Sequence, residues 1–199
     1  MVYKVIGVSS GHISKGLEIV FVELNEIGGK WSYEIIAEES TLLTAFWKEQ
    51  LAGASQLPVL EYHLLHTSFG AYIGEQINEF IQRNELNHKV HLVASNGYTA
   101  FHLPERKMTA QLGHGASIAA ETKLPVVTDL CSLDMAFGGR GEPMDAIASK
   151  LLQPENASLP LTIALMGVLR WREETTMLAS SSGAGQDSIG GALWLGTEA

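Results

Sequence analysis

Between Tyr3 and Ala37 the chain passes through three β-rich runs separated only by short turns, which leaves consecutive antiparallel strands as the natural reading. The runs are Tyr3 to Val8, Leu17 to Leu24 and Trp31 to Ala37; the first turn is Ser-Ser-Gly-His-Ile-Ser-Lys-Gly, and the second contains Gly28 and Gly29. In the third run Trp31, Tyr33 and Ile35 alternate with Ser32 and Glu34, the pattern of a half-buried strand. The period then changes. Leu42, Leu43, Phe46, Trp47 and Leu51 recur at three and four residues and stop at Gly53. After Pro58 a longer helix is predicted, with Leu65, Phe69, Ile73, Ile77 and Phe80 on one face.

Val90 to Ala94 reads as a buried strand ending at Ser95-Asn96-Gly97, and short strands are expected over Thr99 to His102 and Met108 to Leu112. Gly115 to Thr122 reads as a short helix and Pro125 to Leu130 as another strand. From Gly138 to Ser158 the chain turns to Gly, Pro and polar residues around a helical stretch at Asp145 to Leu152. Leu159 to Arg172 is apolar nearly all round, which marks a buried helix, and the remaining Gly- and Ser-rich end carries the apolar segment Ile189 to Leu195 with Trp194. This order suits an α/β fold with helices packed on a mixed sheet.

Composition narrows the function classes. Hydrophobic residues make up 46% and charged residues 18% of the 199, a globular balance. A net charge of −9 argues against nucleic acid as a partner, because phosphate binding needs a basic face. Cys131 is the single cysteine and has no internal partner. The start reads as a strand rather than a signal peptide, and Leu159 to Leu169 is too short to span a bilayer, so a cytoplasmic protein without membrane contacts is expected.

Three segments carry a resemblance: Ser-Asn-Gly-Tyr-Thr-Ala-Phe-His-Leu-Pro at 95–104, Gln-Leu-Gly at 111–113, and Pro-Val-Val-Thr-Asp-Leu-Cys-Ser-Leu-Asp-Met-Ala-Phe-Gly-Gly-Arg-Gly-Glu-Pro at 125–143. In order and spacing they are similar to the anhydro-N-acetylmuramic acid kinase family. The opening at 6–18 resembles that family's phosphate loop, and 167–174 with 180–194 resemble its C-terminal helix and tail. The resemblance implies the two-lobed fold of actin and the sugar kinases, whose last helix returns to complete the first lobe. Here it implies one such lobe, an RNase H-like α/β unit over 1–199. Residues 1–141 would form its first part, 142–158 a linker in place of the second lobe, and 159–199 the completing helix and tail.

The same resemblance assigns site residues. Ser10, Gly11, His12, Ser14, Gly16 and Glu18 stand in the phosphate loop, where Lys15 replaces an Asp; a plain hairpin turn is the other reading of this segment. Ser95, Asn96, Gly97, Thr99, His102, Asp129, Asp134 and Gly139 stand at the sugar site, although His and Thr at a strand end also serve merely to satisfy local backbone. Cys131 occupies the place of an Arg that would hold a carboxylate, and no base is spaced to make it a nucleophile. Arg140 and Glu142 read as surface charges. The sequence has no Asp-Thr-Gly-Pro-Gly-Asn run, which supplies the family's general base, and no Gly-rich adenosine loop. Neither a catalytic residue nor a metal site is therefore assigned. No cofactor is expected, with Mg-ATP implied only if the family's phosphorylation of 1,6-anhydro-N-acetylmuramic acid in cell-wall recycling is retained. The expected roles are an inactive interaction module, partnered by a second copy or a full-length relative, a residual kinase, or an amino-sugar sensor.

Overall fold

The computed structural model describes residues 1–10, 13, 16–141, 151, 152 and 158–181, with 170 and 173–181 described by backbone alone. The three N-terminal runs form β1 (Val2–Ser9), β2 (Leu17–Ile27) and β3 (Lys30–Thr41), each antiparallel to the next. Gly28 and Gly29, at φ of +58° and +80°, close the β2–β3 hairpin in two residues. Positive φ at both central positions is what such a tight turn demands, and glycine adopts it without strain.

Helices α1 (Ala45–Gly53) and α2 (Val59–Arg83) follow, then β4 (Leu92–Asn96), β5 (Tyr98–Leu103), β6 (Met108–Leu112), α3 (Gly115–Thr122), β7 (Val126–Val127), α4 (Leu130–Ala136) and α5 (Leu159–Ser181). The main sheet has the order β3-β2-β1-β4-β7, with β4 parallel to β1 and β7 parallel to β4, while β5 and β6 pair as a separate hairpin. The runs expected as strands at Tyr3 to Val8, Leu17 to Leu24, Trp31 to Ala37, Val90 to Ala94 and Pro125 to Leu130 each contribute a strand to the main sheet.

Strand alternation gives the sheet two buried faces. Ile6, Val8, Ile19, Phe21, Val93 and Val126 meet Phe69, Ile73, Ile77 and Phe80 of α2. On the other face Tyr3, Val5, Val22, Leu24, Leu92, Ala94 and Val127 meet Leu161, Ala164, Leu165 and Val168 of α5. Each large side chain so buried contributes about 1.5–3 kcal/mol. The expectation that the terminal apolar helix packs beside the N-terminal strands holds: α5 crosses β1, β4 and β2. Contact is close because Gly7 and Gly167 lack side chains where α5 meets β1 and β4.

Several expectations need correction. Strand β7 covers only Val126 and Val127, because Asp129 turns left-handed (φ 60°, ψ 27°) and starts α4 at Leu130. Strand β4 begins at Leu92 and runs on through Ser95 and Asn96, two residues beyond the expected end at Ala94. On β3, Tyr33 and Ile35 are exposed although they alternate as a half-buried strand should. A register shift opposite Phe21 and Val22 places Ala37 and Glu39 on the α2 side and leaves Trp31, Tyr33 and Ile35 on the α5 side. Of these three, Trp31 is covered, by Tyr3 and Arg172. Helix α5 runs to Ser181, beyond the expected Arg172. Leu151 and Leu152 are helical, whereas the rest of Asp145 to Leu152 falls outside the described residues, as does Ile189 to Leu195.

The edge strand is tied to α2 by charge. Arg83 Nε and Nη2 donate to Glu39 Oε2 at 3.1 and 2.7 Å, and Asn84 Nδ2 donates to Oε1 at 2.7 Å. The Arg83 hydrogen bonds hold the Glu39 carboxyl below its usual range. Both partners are substantially solvated, so the pair stabilises by no more than about 1 kcal/mol. The depressed carboxyl contributes above its unfolded pKa and loses that contribution as pH falls through the folded value. Urea melts of Arg83→Ala should therefore show a small deficit at neutral pH that is lost as the pH falls through the folded pKa of Glu39. A deficit that persists unchanged in acid would show that the guanidinium acts through packing instead.

Candidate functional site

Parallel strands β1 and β4 end side by side, and their last residues are polar. Val8 pairs with Ser95, Ser9 with Asn96, and the Ser10 N–H donates to the Asn96 carbonyl at 3.2 Å. Carboxyl ends of parallel strands are where α/β sheets bind ligands, since side chains and loop amides converge there. Ser9, Ser10, Ser95 and Asn96 are all buried, the last at 6% exposure. Among the described residues, the hydroxyls of Ser10 and Ser95 have no hydrogen-bond partner. A buried polar group left unsatisfied costs about 1–3 kcal/mol, so these two hydroxyls make this end of the sheet a candidate site for a polar ligand.

Neighbouring residues shape this strand end. Gly97 is required because any Cβ would overlap the Leu112 carbonyl, where the β5–β6 hairpin folds back on β4. Gly16 (φ +82°) is similarly pressed on the Thr41 carbonyl at the start of β2. Asn96 Oδ1 accepts from the Cys131 thiol at 3.5 Å. Cys131 is buried among apolar side chains. Asp129 stands exposed at the end of β7, its Oδ2 accepting from Thr128 Oγ1 at 3.2 Å. Its left-handed backbone costs roughly 1–2 kcal/mol, a strain that collects at functional loops.

The remaining residues form a second group. His102 lies near the far end of β5, roughly 14 Å along an extended strand from Tyr98, beside Met135 and Gly141. The Asp134 carbonyl accepts from Gly139 N–H and its Oδ2 from Gly141 N–H, both at 2.8 Å. A Cβ at Gly139 would overlap that carboxylate. Asp134 thus clamps the turn at 138–141, and Arg140 is exposed on it. Thr99 sits half-buried on β5 opposite Gln111, between the two groups. Glu18, opposite Ser9 on β2, lines a separate shallow cleft with Glu38, Ser40, Ser158 and Pro160.

Gly11, His12, Ser14, Lys15 and Glu142 lie outside the described residues. Among the described residues, no group of three carboxylate, imidazole or thiol side chains is placed to hold a metal ion. No helix among the described residues is long and apolar enough to cross a membrane. Sequence reading missed His66 and His114, which meet beside the strand-end site. Their only sequence signal is a histidine on the half-buried flank of α2 and another before α3.

Strand order β3-β2-β1-β4-β7, with helices on both faces and polar groups at the β1 and β4 ends, defines an α/β protein built on a five-stranded mixed sheet. The profile of the anhydro-N-acetylmuramic acid kinase family matches residues 3–170, and the chain belongs to that family. It is similar to the anhydro-N-acetylmuramic acid kinase of Zymomonas mobilis, 28% identical over 201 residues, covering 92% of this chain and 54% of the relative. That of Synechococcus elongatus is 26% identical over 148 residues, 71% of this chain and 38% of the relative. That of Brucella canis is 36% identical over 69 residues, 34% and 18%. The chain thus spans about half or less of the length of these relatives. A solved structure of Thermus thermophilus RuvC with a Holliday junction substrate covers 88% of this chain at a TM-score of 0.41 and 17% identity, a level at which likeness carries no argument.

Proposed function

We propose that this chain is a catalytically inactive member of the family, a single lobe that binds an amino sugar at the ends of β1 and β4 without phosphorylating it. The observation that carries the reading is the pair of buried hydroxyls on Ser10 and Ser95, which have no partner among the described residues. A sugar offers hydroxyl, acetamido and carboxyl groups that would complete both. Phosphoryl transfer needs more, namely a closed cleft and a base to take the acceptor's proton. The 199 residues lack the family's base motif, and the Asp134 carboxylate already accepts from Gly141.

Ser95→Ala separates binding from folding because its two effects have opposite signs. Removing an unsatisfied buried hydroxyl should stabilise the free protein by about 1 kcal/mol. It should also weaken binding of anhydro-N-acetylmuramic acid about tenfold, the equivalent of one ligand hydrogen bond. Calorimetric titration and thermal melts of both proteins check this. Absence of any heat or saturable shift with the wild type, or unchanged affinity in the variant, would sink the sugar-binding reading.

A second reading, a docking module, is favoured by exposed apolar side chains. Val59, Leu60 and Leu64 of α2 are 76%, 67% and 53% exposed, and Phe137 is 84% exposed. Exposed apolar surface of this kind marks interaction sites when it is contiguous. Its partner would be a second copy or a full-length relative, and a light-scattering mass of one chain at high concentration, with no co-purifying relative, would count against it.

A further inference from the structure

His66 lies where α2 meets the turn between β6 and α3, and it accepts hydrogen bonds from two successive amides of that turn. The Gly113 N–H donates to its Nδ1 and the His114 N–H to its carbonyl oxygen, both at 3.1 Å. Because Nδ1 accepts, the neutral ring carries its proton on Nε2. Gly70 makes the approach possible, since a Cβ there would lie 2.5 Å from the His114 carbonyl oxygen and 2.6 Å from its nitrogen. The two imidazoles stand 5.2 Å apart, tilted by 57°, and His114 Nδ1 lies 3.0 Å from Ser117 Oγ. On its far side the turn touches the candidate site. Gly113, at φ +125°, is so placed that a Cβ would lie 3.5 Å from the Gly97 Cα.

We propose that the His66–His114 pair is an acid-sensitive latch that holds the β6–α3 turn against α2 and, through Gly97, keeps the strand-end site in place. A proton added to Nδ1 turns the acceptor of the Gly113 bond into a donor facing a donor, so the bond is lost. It also sets a cation beside a second imidazole. The charged or titratable groups facing His66 are His63 on its own helix, His114 on the turn and Asp129 at the β7–α4 junction. Of these only Asp129 favours the cation. Burial, aided by the two imidazoles, outweighs it and pushes the His66 pKa below the ordinary histidine range.

The sign follows. As pH falls below about 6.5 the unfolded chain binds the proton first, so the folded state loses stability down to the folded pKa and the latch opens there. Nothing in this requires the sugar to be the ligand.

The test is hydrogen exchange at the Gly113 and His114 amides between about pH 7.5 and 5, corrected for intrinsic chemistry, beside an NMR titration of the His66 ring. We expect protection at both amides to be lost progressively as the pH falls, with a midpoint matching that of His66. In His66→Asn the Oδ1 takes the place of Nδ1 without titrating, and the fall should disappear. Wild-type protection that does not track His66 overturns the proposal, as does a folded His66→Asn protein with the same pH dependence. If that variant does not fold, the match or mismatch of wild-type midpoints decides.

Discussion

Gly7→Ala is expected to cost the protein about 3 kcal/mol or more, at or above the top of the usual range for overpacking. Gly7 sits mid-way along β1 on the face covered by α5, and an added Cβ would overlap the Pro160 carbonyl and lie 3.0 Å from the Ala164 Cβ. The obstacle is backbone, so no rotamer change relieves it; α5 has to lift off the sheet. Domains of this size are stable by about 5–15 kcal/mol, so the loss shows clearly in a urea midpoint. Gly53→Ala is the control. It has an ordinary φ of −83° and open space around it, and its substitution should be neutral or slightly stabilising. Equal midpoints for the two variants would show that α5 does not pack on β1 in solution.

Phe69→Ala should cost about 3–5 kcal/mol, the range for deleting a fully buried aromatic ring. Phe69 is wholly buried on the sheet-facing side of α2. Its ring lies 5.2 Å from that of Trp47 on α1 and 6.0 Å from that of Tyr72. Removing it opens a cavity where α1, α2 and the sheet meet, and none of these can collapse without losing other contacts. Phe46→Ala, one residue before Trp47 and 60% exposed, should cost far less. A small loss at Phe69, measured by the same urea midpoints, would mean that the α2 face of the core is loosely packed.

Which parts of this architecture were legible depends on how local their causes are. The four-residue rhythm from Leu65 to Phe80 placed α2 because one helix face is enough to specify it, and Gly115 to Thr122 read correctly as α3. Tyr33 and Ile35 misled because alternation looks the same whether or not another element covers the strand, and both are exposed here. Helix α4 was missed because it begins with a left-handed Asp129, which no local pattern announces. At the site, Ser95, Asn96 and Gly97 were legible as a strand end. Ser10 joined them only through the parallel pairing of β1 with β4. His66 was invisible because its partners, Gly113 and His114, are supplied by a turn 47 and 48 residues away. His102 and Asp134 were read together with Ser95, but the β5 strand carries His102 away and the turn at 138–141 engages Asp134.

Whether the chain binds the sugar without phosphorylating it, as proposed, is decided by product formation. Purified protein would be incubated with Mg-ATP and anhydro-N-acetylmuramic acid, and phosphorylated sugar measured by mass spectrometry. The expected result is no product above the protein-free background under conditions where calorimetry shows the sugar bound. Phosphorylated sugar that accumulates with the wild type and disappears with Asp129→Asn would contradict it and make the chain a working kinase.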